Sequence, residues 1–156
     1  MKVNLGQLKK LRQKSGAGVM DCRRALTACE GRLKEALVWL KEKGIARAEK
    51  RADRQVKNGL IEAYSHSGGR IVAVVELLCE TDFVARTPEF KELAHELAMQ
   101  VAAMSPQNAE DLEKQPYIRD EKIRVGELLK EIIAKTGENI VLGRLIRLEL
   151  GENNGN

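Results

Sequence analysis

The sequence predicts an α+β fold, with a module of three short helices, a linker helix, and a three-stranded antiparallel sheet with two helices. Three observations predict it. Glycines divide the first part of the chain into segments with helical spacing of their apolar residues. Strand-like segments then flank a Gly-Gly turn, and two longer amphipathic segments precede a final strand. The predicted parts are a helical module at 1–44, a linker at 45–58, an α+β core at 59–151 and a disordered tail at 152–156.

The helical module is defined by its caps and glycines. Asn4 can cap the first helix and Gly16 can end it. The second helix begins near Val19 and ends at Gly31, and the third ends at Gly44. Three short helices of this kind predict a UBA-like (ubiquitin-associated-like) interaction module rather than an enzyme. The apolar faces comprise Leu5, Leu8, Leu11, Cys22, Ala25, Leu26, Cys29, Leu33, Ala36, Leu37 and Leu40.

The linker, residues 45–58, is rich in Ala, Lys and Arg. Its apolar side chains are too small to bury much area, so we expect a solvated helix. Alternatively, the basic residues of the linker could bind nucleic acid, since the net charge of the chain is +4. However, Lys and Arg alternate with Glu, and no platform of basic and aromatic residues is present. Direct nucleic-acid binding is therefore not expected.

The core begins with a predicted hairpin. Residues 60–66 are strand-like, and residues 67–69 are a turn signal. The second strand, residues 70–79, is apolar on both faces, which predicts a central position in the sheet. Residues 80–87 are expected to form a loop.

Two helices and a strand complete the core. Thr87-Pro88 is a helix start and Ser105-Pro106 a stop. Residues 105–119 are polar and irregular, a helix is predicted over 120–135, and the last strand over 139–150. Three strands and one helical layer make a thin core, so incomplete burial of the sheet favours self-association. Simple alternation along the last strand puts Leu142, Arg144, Ile146, Leu148 and Leu150 on one face, and Gly143, Leu145, Arg147 and Glu149 on the other.

Several function classes are not supported. No run of about 18 apolar residues and no apolar signal region is present, which indicates a cytoplasmic protein without a membrane span. The three cysteines lack a CxxC spacing and are expected to be reduced, buried thiols. His66 and His95 have no zinc-like spacing to a cysteine, and Gly16-Ala17-Gly18 follows a helix rather than a strand. We therefore expect no metal site, no cofactor and no enzyme active site.

One loop residue departs from this plain pattern. Phe83 lies in a short loop between a buried strand and a capped helix, in a chain with only two Phe residues. It could fold back onto the sheet as a hydrophobic staple, or it could project as a rigidly mounted binding tip beside Asp82. Spacing alone favours neither, although Phe90 is better placed for the core.

Two long motifs resemble the bacterial elongation factor Ts family, which exchanges guanine nucleotide on elongation factor Tu. They are the segments 65–86, with CETDFVAR at its end, and 11–22, with LRQKSGAGVMDC. The segments 115–118 and 137–141 resemble the end of that family's core. The resemblance implies that Phe83 wedges between helices near the partner's switch region and disturbs Mg²⁺ coordination. It assigns partner binding to Thr81, Asp82, Phe83 and Val84, and to Arg12, Val19 and Met20 in the helical module.

The chain also departs from that family. The second structural repeat and a helical hairpin are predicted to be missing, and Gly143, Leu145 and Leu148 stand where Arg, Phe and Phe are frequent. The resemblance is therefore to the short form, for which a homodimer is expected. Two other functions stay open from the residues alone: a nucleic-acid or ribosome-associated protein, and an adaptor whose helical module binds an unrelated protein.

Overall fold

The computed structural model describes residues 3–152, and its α+β architecture confirms the predicted fold class. Most of the predicted disordered tail, residues 153–156, lies outside the described residues. The helices are α1 Leu5–Ser15, α2 Val19–Ala28, α3 Leu33–Glu49, α4 Asp82–Ala85, α5 Pro88–Met104, α6 Ala109–Lys114 and α7 Val125–Thr136. The strands are β1 Asn58–His66, β2 Ile71–Cys79, β3 Pro116–Tyr117, β4 Asp120–Arg124 and β5 Ile140–Glu149.

Helices α1 to α3 form a small bundle with its own core. The Asn4 side chain caps α1 by accepting a hydrogen bond from the Gly6 amide at 2.8 Å. Gly16 ends α1 with a φ of 65°, a left-handed conformation that glycine adopts without penalty. Both predicted caps are thus confirmed. The buried residues of this core are Leu11, Cys22, Ala25, Leu26, Cys29 and Ala36.

Helix α3 continues through Gly44 to Glu49, so the prediction that Gly44 ends it is wrong. Gly44 is buried, and a Cβ added there would lie 2.9 Å from the Cβ of Ala134 in α7. The glycine therefore lets two helices approach closely, which outweighs its unfavourable helix propensity of about 1 kcal/mol. Ala48 is buried in the core of the sheet domain, so this part of the predicted linker is docked rather than solvated.

The main sheet has the order β1-β2-β5 and is antiparallel throughout, so the predicted central position of β2 is confirmed. The predicted turn joins β1 and β2, with His66 opposite Ile71. Helix α5 packs on one face of this hairpin, and α7 packs on α3. The largest fully buried side chains of the sheet domain are Phe90, Leu77, Leu97, Leu112, Gln100, Val75, Val101 and Val125.

A β-bulge in β5 corrects the predicted strand faces. Leu142 pairs with Leu77 and Leu145 with Val75, so Gly143 and Arg144 stand opposite the single residue Glu76. The extra residue reverses the alternation. Leu142 and Leu145 therefore both face the core, whereas Arg144, Ile146 and Leu148 are exposed. A Cβ on Gly143 would lie 2.6 Å from Glu76 Oε2, so a larger residue at this position would displace the Glu76 side chain.

The segment between α5 and α7 is more ordered than predicted. Residues 105–119 contain α6 and β3, and residues 120–124 form β4 instead of the first turn of a helix. Gln100 explains much of this. Its fully buried side chain donates to the Pro116 carbonyl at 3.0 Å and accepts from the Ile118 amide at 2.9 Å. These bonds from α5 hold β3 in an extended conformation.

The sheet face away from α5 stays partly uncovered, and we call it the open face. Near its centre, Glu76 accepts a hydrogen bond from Arg144 Nε at 3.1 Å. This bond holds the pKa of Glu76 below its usual range. Apolar side chains surround the pair and are exposed or half-buried: Ile61, Ala63, Val72, Val74, Leu78, Val141, Ile146 and Leu148.

Candidate functional site

The loop after β2 presents the most exposed aromatic side chain of the described residues. Thr81 has an extended backbone and caps the four-residue helix α4, with its Oγ1 accepting from the Val84 amide at 3.4 Å. Phe83 follows in the first turn of α4 and is 78% exposed. The staple interpretation is therefore wrong, because Phe83 does not fold back onto the sheet. Phe90 is fully buried, as its spacing predicts.

The four residues assigned to partner binding do not share one environment. Val84 is 9% exposed and packs in the core of the sheet domain, so it anchors α4 from below. Thr81 and Asp82 are half-buried. Val84, to which the resemblance also assigns partner binding, is thus buried in the structure. What projects is Phe83, with the Asp82 carboxylate beside it.

Asp82 already has an ion-pair partner at the end of α4. Its carboxylate lies 2.8 Å from Arg86 Nη2, one helical turn further on. The Arg86 side chain is 75% exposed, so this ion pair is weak and can rearrange. Asp82 is therefore free to exchange Arg86 for a group of a binding partner.

A second loop braces the first. Both carboxylate oxygens of Glu138 accept from Thr81, one from the amide at 2.9 Å and one from the hydroxyl at 2.6 Å. Glu80 accepts from the Asn139 amide at 2.7 Å. The side chain of Asn58 adds a bond to the Glu80 carbonyl at 2.8 Å. The loop that carries Phe83 is thus held at its base by hydrogen bonds from two other segments.

The buried end of β2 adds to this base. Cys79 is fully buried, and its Sγ donates to the Thr81 carbonyl at 3.1 Å. Burial, with a further contribution from the Glu138 charge, raises the pKa of the Cys79 thiol. The thiol therefore stays protonated and acts as a hydrogen-bond donor rather than as a nucleophile.

The helical module presents a second exposed apolar group. Val19 and Met20 are the first two residues of α2 and are 45% and 60% exposed. Arg12 is exposed in the last turn of α1, and its carbonyl accepts from Gly16. The structure thus brings the three predicted module residues to the surface around one loop, the α1–α2 connection.

An ion pair holds the first turn of α2 in place. Both carboxylate oxygens of Asp21 accept from Arg47 of α3, at 2.8 and 2.9 Å. Hydrogen bonding to Arg47 holds the pKa of Asp21 below its ordinary value. Arg24 adds a further contact at 2.8 Å. Met20, which precedes Asp21, is therefore mounted on a helix end that is fixed to α3.

Comparison with known proteins decides the family. The elongation factor Ts of Thermotoga neapolitana is 43% identical over 195 positions, which cover 97% of this chain and 99% of the relative. That of Methylacidiphilum infernorum is 40% identical over 188 positions, covering 93% and 94%. A family model described as Elongation factor TS matches residues 80–155. The chain belongs to the elongation factor Ts family. Its role therefore lies in protein biosynthesis, at elongation.

This chain is shorter than relatives in the elongation factor Ts family. The alignment with the Thermotoga neapolitana protein spans 195 positions, so at least 39 of them have no residue in this 156-residue chain. The Rippkaea orientalis elongation factor Ts is 40% identical, and 79% of its length is covered. A shortened chain agrees with the sequence-based expectation, while the loss of a specific core repeat stays a prediction.

Sequence reasoning missed the residues that brace the Phe83 loop. Glu138 and Asn139 lie within a segment that resembles the family's core, but no role could be given to them. Glu138 is separated from Thr81 by 57 residues, so no local pattern connects the two. The sequence signal that could have been used is a polar Asn directly before an apolar strand. In the structure this residue, Asn139, is only 3% exposed.

The described part of this elongation factor Ts family member contains no group of three His, Cys, Asp or Glu residues suited to a metal ion. His66 Nδ1 lies 3.1 Å from the Tyr64 hydroxyl, and His95 Nδ1 lies 3.0 Å from Glu62 Oε1. None of the helices in residues 3–152 is long and apolar enough to cross a membrane.

Proposed function

We propose that this protein is a cytoplasmic guanine nucleotide exchange factor that binds elongation factor Tu and promotes release of its GDP. The observation that carries the proposal is Phe83, which is 78% exposed on a loop braced by hydrogen bonds. Exposing a Phe side chain is unfavourable in water, so a braced and exposed Phe is suited to burial against another protein. Membership of the elongation factor Ts family supports the choice of partner.

Exchange needs no bond-making chemistry, so the protein is not proposed to be an enzyme in that sense. A factor that binds the nucleotide-free partner most tightly must weaken nucleotide binding by the same ratio. GTPases hold their nucleotide largely through phosphate and Mg²⁺ contacts. In the proposed mechanism Phe83 enters between helices near the switch region and disturbs Mg²⁺ coordination. Asp82 leaves Arg86 and bonds to the partner, which orients the wedge.

One Phe is not sufficient for this task. Burying a Phe side chain contributes about 1.5–3 kcal/mol, which corresponds to roughly tenfold to a hundredfold in affinity. A second contact is therefore required, and Met20 offers it, with Val19 and Arg12 beside it. Both contacts are mounted on fixed helix ends, so little conformational entropy is lost when they bind together.

The test is stopped-flow release of a fluorescent GDP analogue from elongation factor Tu. We expect Phe83→Ala to lower the maximal release rate by roughly tenfold or more, because the wedge is lost. Met20→Ala should instead raise the concentration needed for half-maximal release. Met104→Ala is the matched control, since Met104 is exposed but lies about 24 Å along α5 from its start near the loop. Release at the wild-type rate with Phe83→Ala would refute the wedge.

A homodimer is the second part of the proposal. The open face leaves Ile146, Leu148 and Ile61 exposed, which is unusual for a sheet in a stable monomer. The Thermotoga neapolitana relative carries at least 39 residues with no counterpart in this chain, and a second copy would cover the surface they leave. The Glu76–Arg144 pair would then lie within the interface and fix its register.

Sedimentation equilibrium at micromolar concentration tests the dimer. We expect twice the chain mass of 17.4 kDa for the wild type, and 17.4 kDa for Ile146→Asp, because the charge would be buried in the interface. Leu5→Asp is the control, since Leu5 is 73% exposed on α1 and away from the sheet. A wild-type mass of 17.4 kDa under these conditions would contradict the dimer.

A further inference from the structure

The loop that follows α7 holds the loop that carries Phe83. Glu138 uses both carboxylate oxygens on Thr81, at 2.9 Å from the amide nitrogen and 2.6 Å from Oγ1. Hydrogen bonds to a charged acceptor are shorter and stronger than neutral ones. Since both bonds end on one residue, they fix the backbone and the side chain of Thr81 together.

The Thr81 hydroxyl transmits this restraint to α4. Its proton is directed to Glu138, so its oxygen lone pairs are left to accept from the Val84 amide at 3.4 Å. Without Glu138 the Thr81 side chain loses the bond that fixes its rotamer, so the cap of α4 is weakened. A helix of four residues cannot hold itself in water, so its orientation depends on this cap and on buried Val84.

The bracing loop is itself fixed to the chain before β1. Asn139 is 3% exposed, and its side-chain amide donates to the carbonyls of Ala52 at 3.2 Å and Arg54 at 2.9 Å. Its backbone amide donates to Glu80. Glu138 is thus a fixed point against which the Phe83 loop is positioned, rather than a mobile surface carboxylate.

We propose that Glu138 is a positioning residue for nucleotide exchange, and this inference rests on the proposed function of Phe83. Its carboxylate holds Thr81 so that Phe83 is presented to the partner in one orientation before contact. Phe83 is exposed and receives little support from packing of its own, so its position is set through the backbone of α4. Presenting the side chain in advance lowers the entropy lost on binding.

The inference predicts a graded series of exchange rates. Glu138→Ala should lower the maximal rate of GDP release about tenfold, and Thr81→Val, which removes the hydroxyl, should lower it similarly. Thr81→Ser, which restores a hydroxyl, should recover most of the rate lost in Thr81→Val. Glu110→Ala is the control for removing a carboxylate, because Glu110 is 79% exposed and pairs only with nearby Lys114.

A double-variant cycle separates positioning from a general structural role. If Glu138 acts through Phe83, Glu138→Ala should have little further effect once Phe83 is replaced by Ala. Thermal unfolding of each variant establishes that it is folded before its release rate is measured. Stopped-flow GDP release then compares Glu138→Ala, Phe83→Ala and the double variant with the wild type.

The outcomes distinguish this inference from the proposed function. A lower rate for Phe83→Ala with a wild-type rate for Glu138→Ala would overturn the role of Glu138 and leave the wedge intact. Equal losses from Glu138→Ala in the presence and absence of Phe83 would also overturn it. A wild-type rate for Phe83→Ala would refute the proposed function itself, and the positioning role with it.

Discussion

The two exposed side chains proposed as the main contacts with the partner, Phe83 and Met20, are mounted in different ways. Met20 lies in the first turn of a ten-residue helix that buries its inner face in the module's own core. Phe83 is the second residue of a four-residue helix that has little core of its own and is braced by Glu138 from a distant segment. The longer helix holds its exposed residue mainly by its own packing, whereas the short one depends on hydrogen bonds from a distant segment.

The packing of α3 on α7 connects the two regions, and disturbing its closest approach should have the largest effect on stability. Gly44→Val would force side-chain atoms into Ala134, because even a Cβ would lie 2.9 Å from the Ala134 Cβ. Overpacking of this kind costs about 1–3 kcal/mol. We expect a fall in melting temperature of several degrees, measured by thermal unfolding followed by circular dichroism.

The matched control for Gly44→Val is Ala46→Val, on the same helix but at an exposed position. It introduces the same β-branched side chain without a neighbour to displace. Adding Ala134→Gly to Gly44→Val should recover part of the lost stability, because it removes the methyl group in contact. Equal melting temperatures for the two single variants would show that the close contact does not hold the module.

A smaller effect on stability is expected at Asp21, which fixes the first turn of α2 to α3 through Arg47. Hydrogen bonding to Arg47 lowers the pKa of Asp21 in the folded state, so the stabilisation is present above the unfolded value of about 3.9. It is lost as the pH falls through the lowered folded value. Arg47 is 42% exposed, so we expect Asp21→Asn to cost only about 0.5–1 kcal/mol at pH 7.

Chemical denaturation at several pH values measures this difference. The gap between wild type and Asp21→Asn should be present at pH 7 and should close well below pH 4. Glu35→Gln is the control, since Glu35 pairs with Arg32 at a position where both side chains are more than half exposed. A gap that stays constant as the pH falls would show that the charge of Asp21 is not what stabilises the module.

The same comparison explains what could be predicted from the sequence. Local signals located α1, α2, α5 and the hairpin, because caps, glycines and periodic apolar residues lie within one element. The end of α3 was missed because the position of Gly44 is decided by a contact with Ala134, 90 residues later.

The errors at the site and in β5 have the same origin. An inserted residue at Gly143 reverses a pattern of alternation, and the bulge is visible only once Glu76 is placed opposite. Phe83 stood out by its residue type, but the sequence did not show whether Phe83 or the adjacent Val84 would fill the core. In the structure Val84 is buried and Phe83 is exposed. The bracing by Glu138 depends on tertiary pairing and leaves no local pattern.

The continuity of α3 from Leu33 to Glu49 affects the combined affinity expected from the Met20 and Phe83 contacts. Because the helix runs through Gly44 into the core of the sheet domain, Met20 and Phe83 are held at a fixed separation. In the proposed complex, once one group has bound, the other would meet its site at a high effective concentration, without the loss that a flexible tether causes. Under the same proposal, the fixed separation would disfavour a partner whose two pockets are spaced differently, so α3 would contribute to partner specificity.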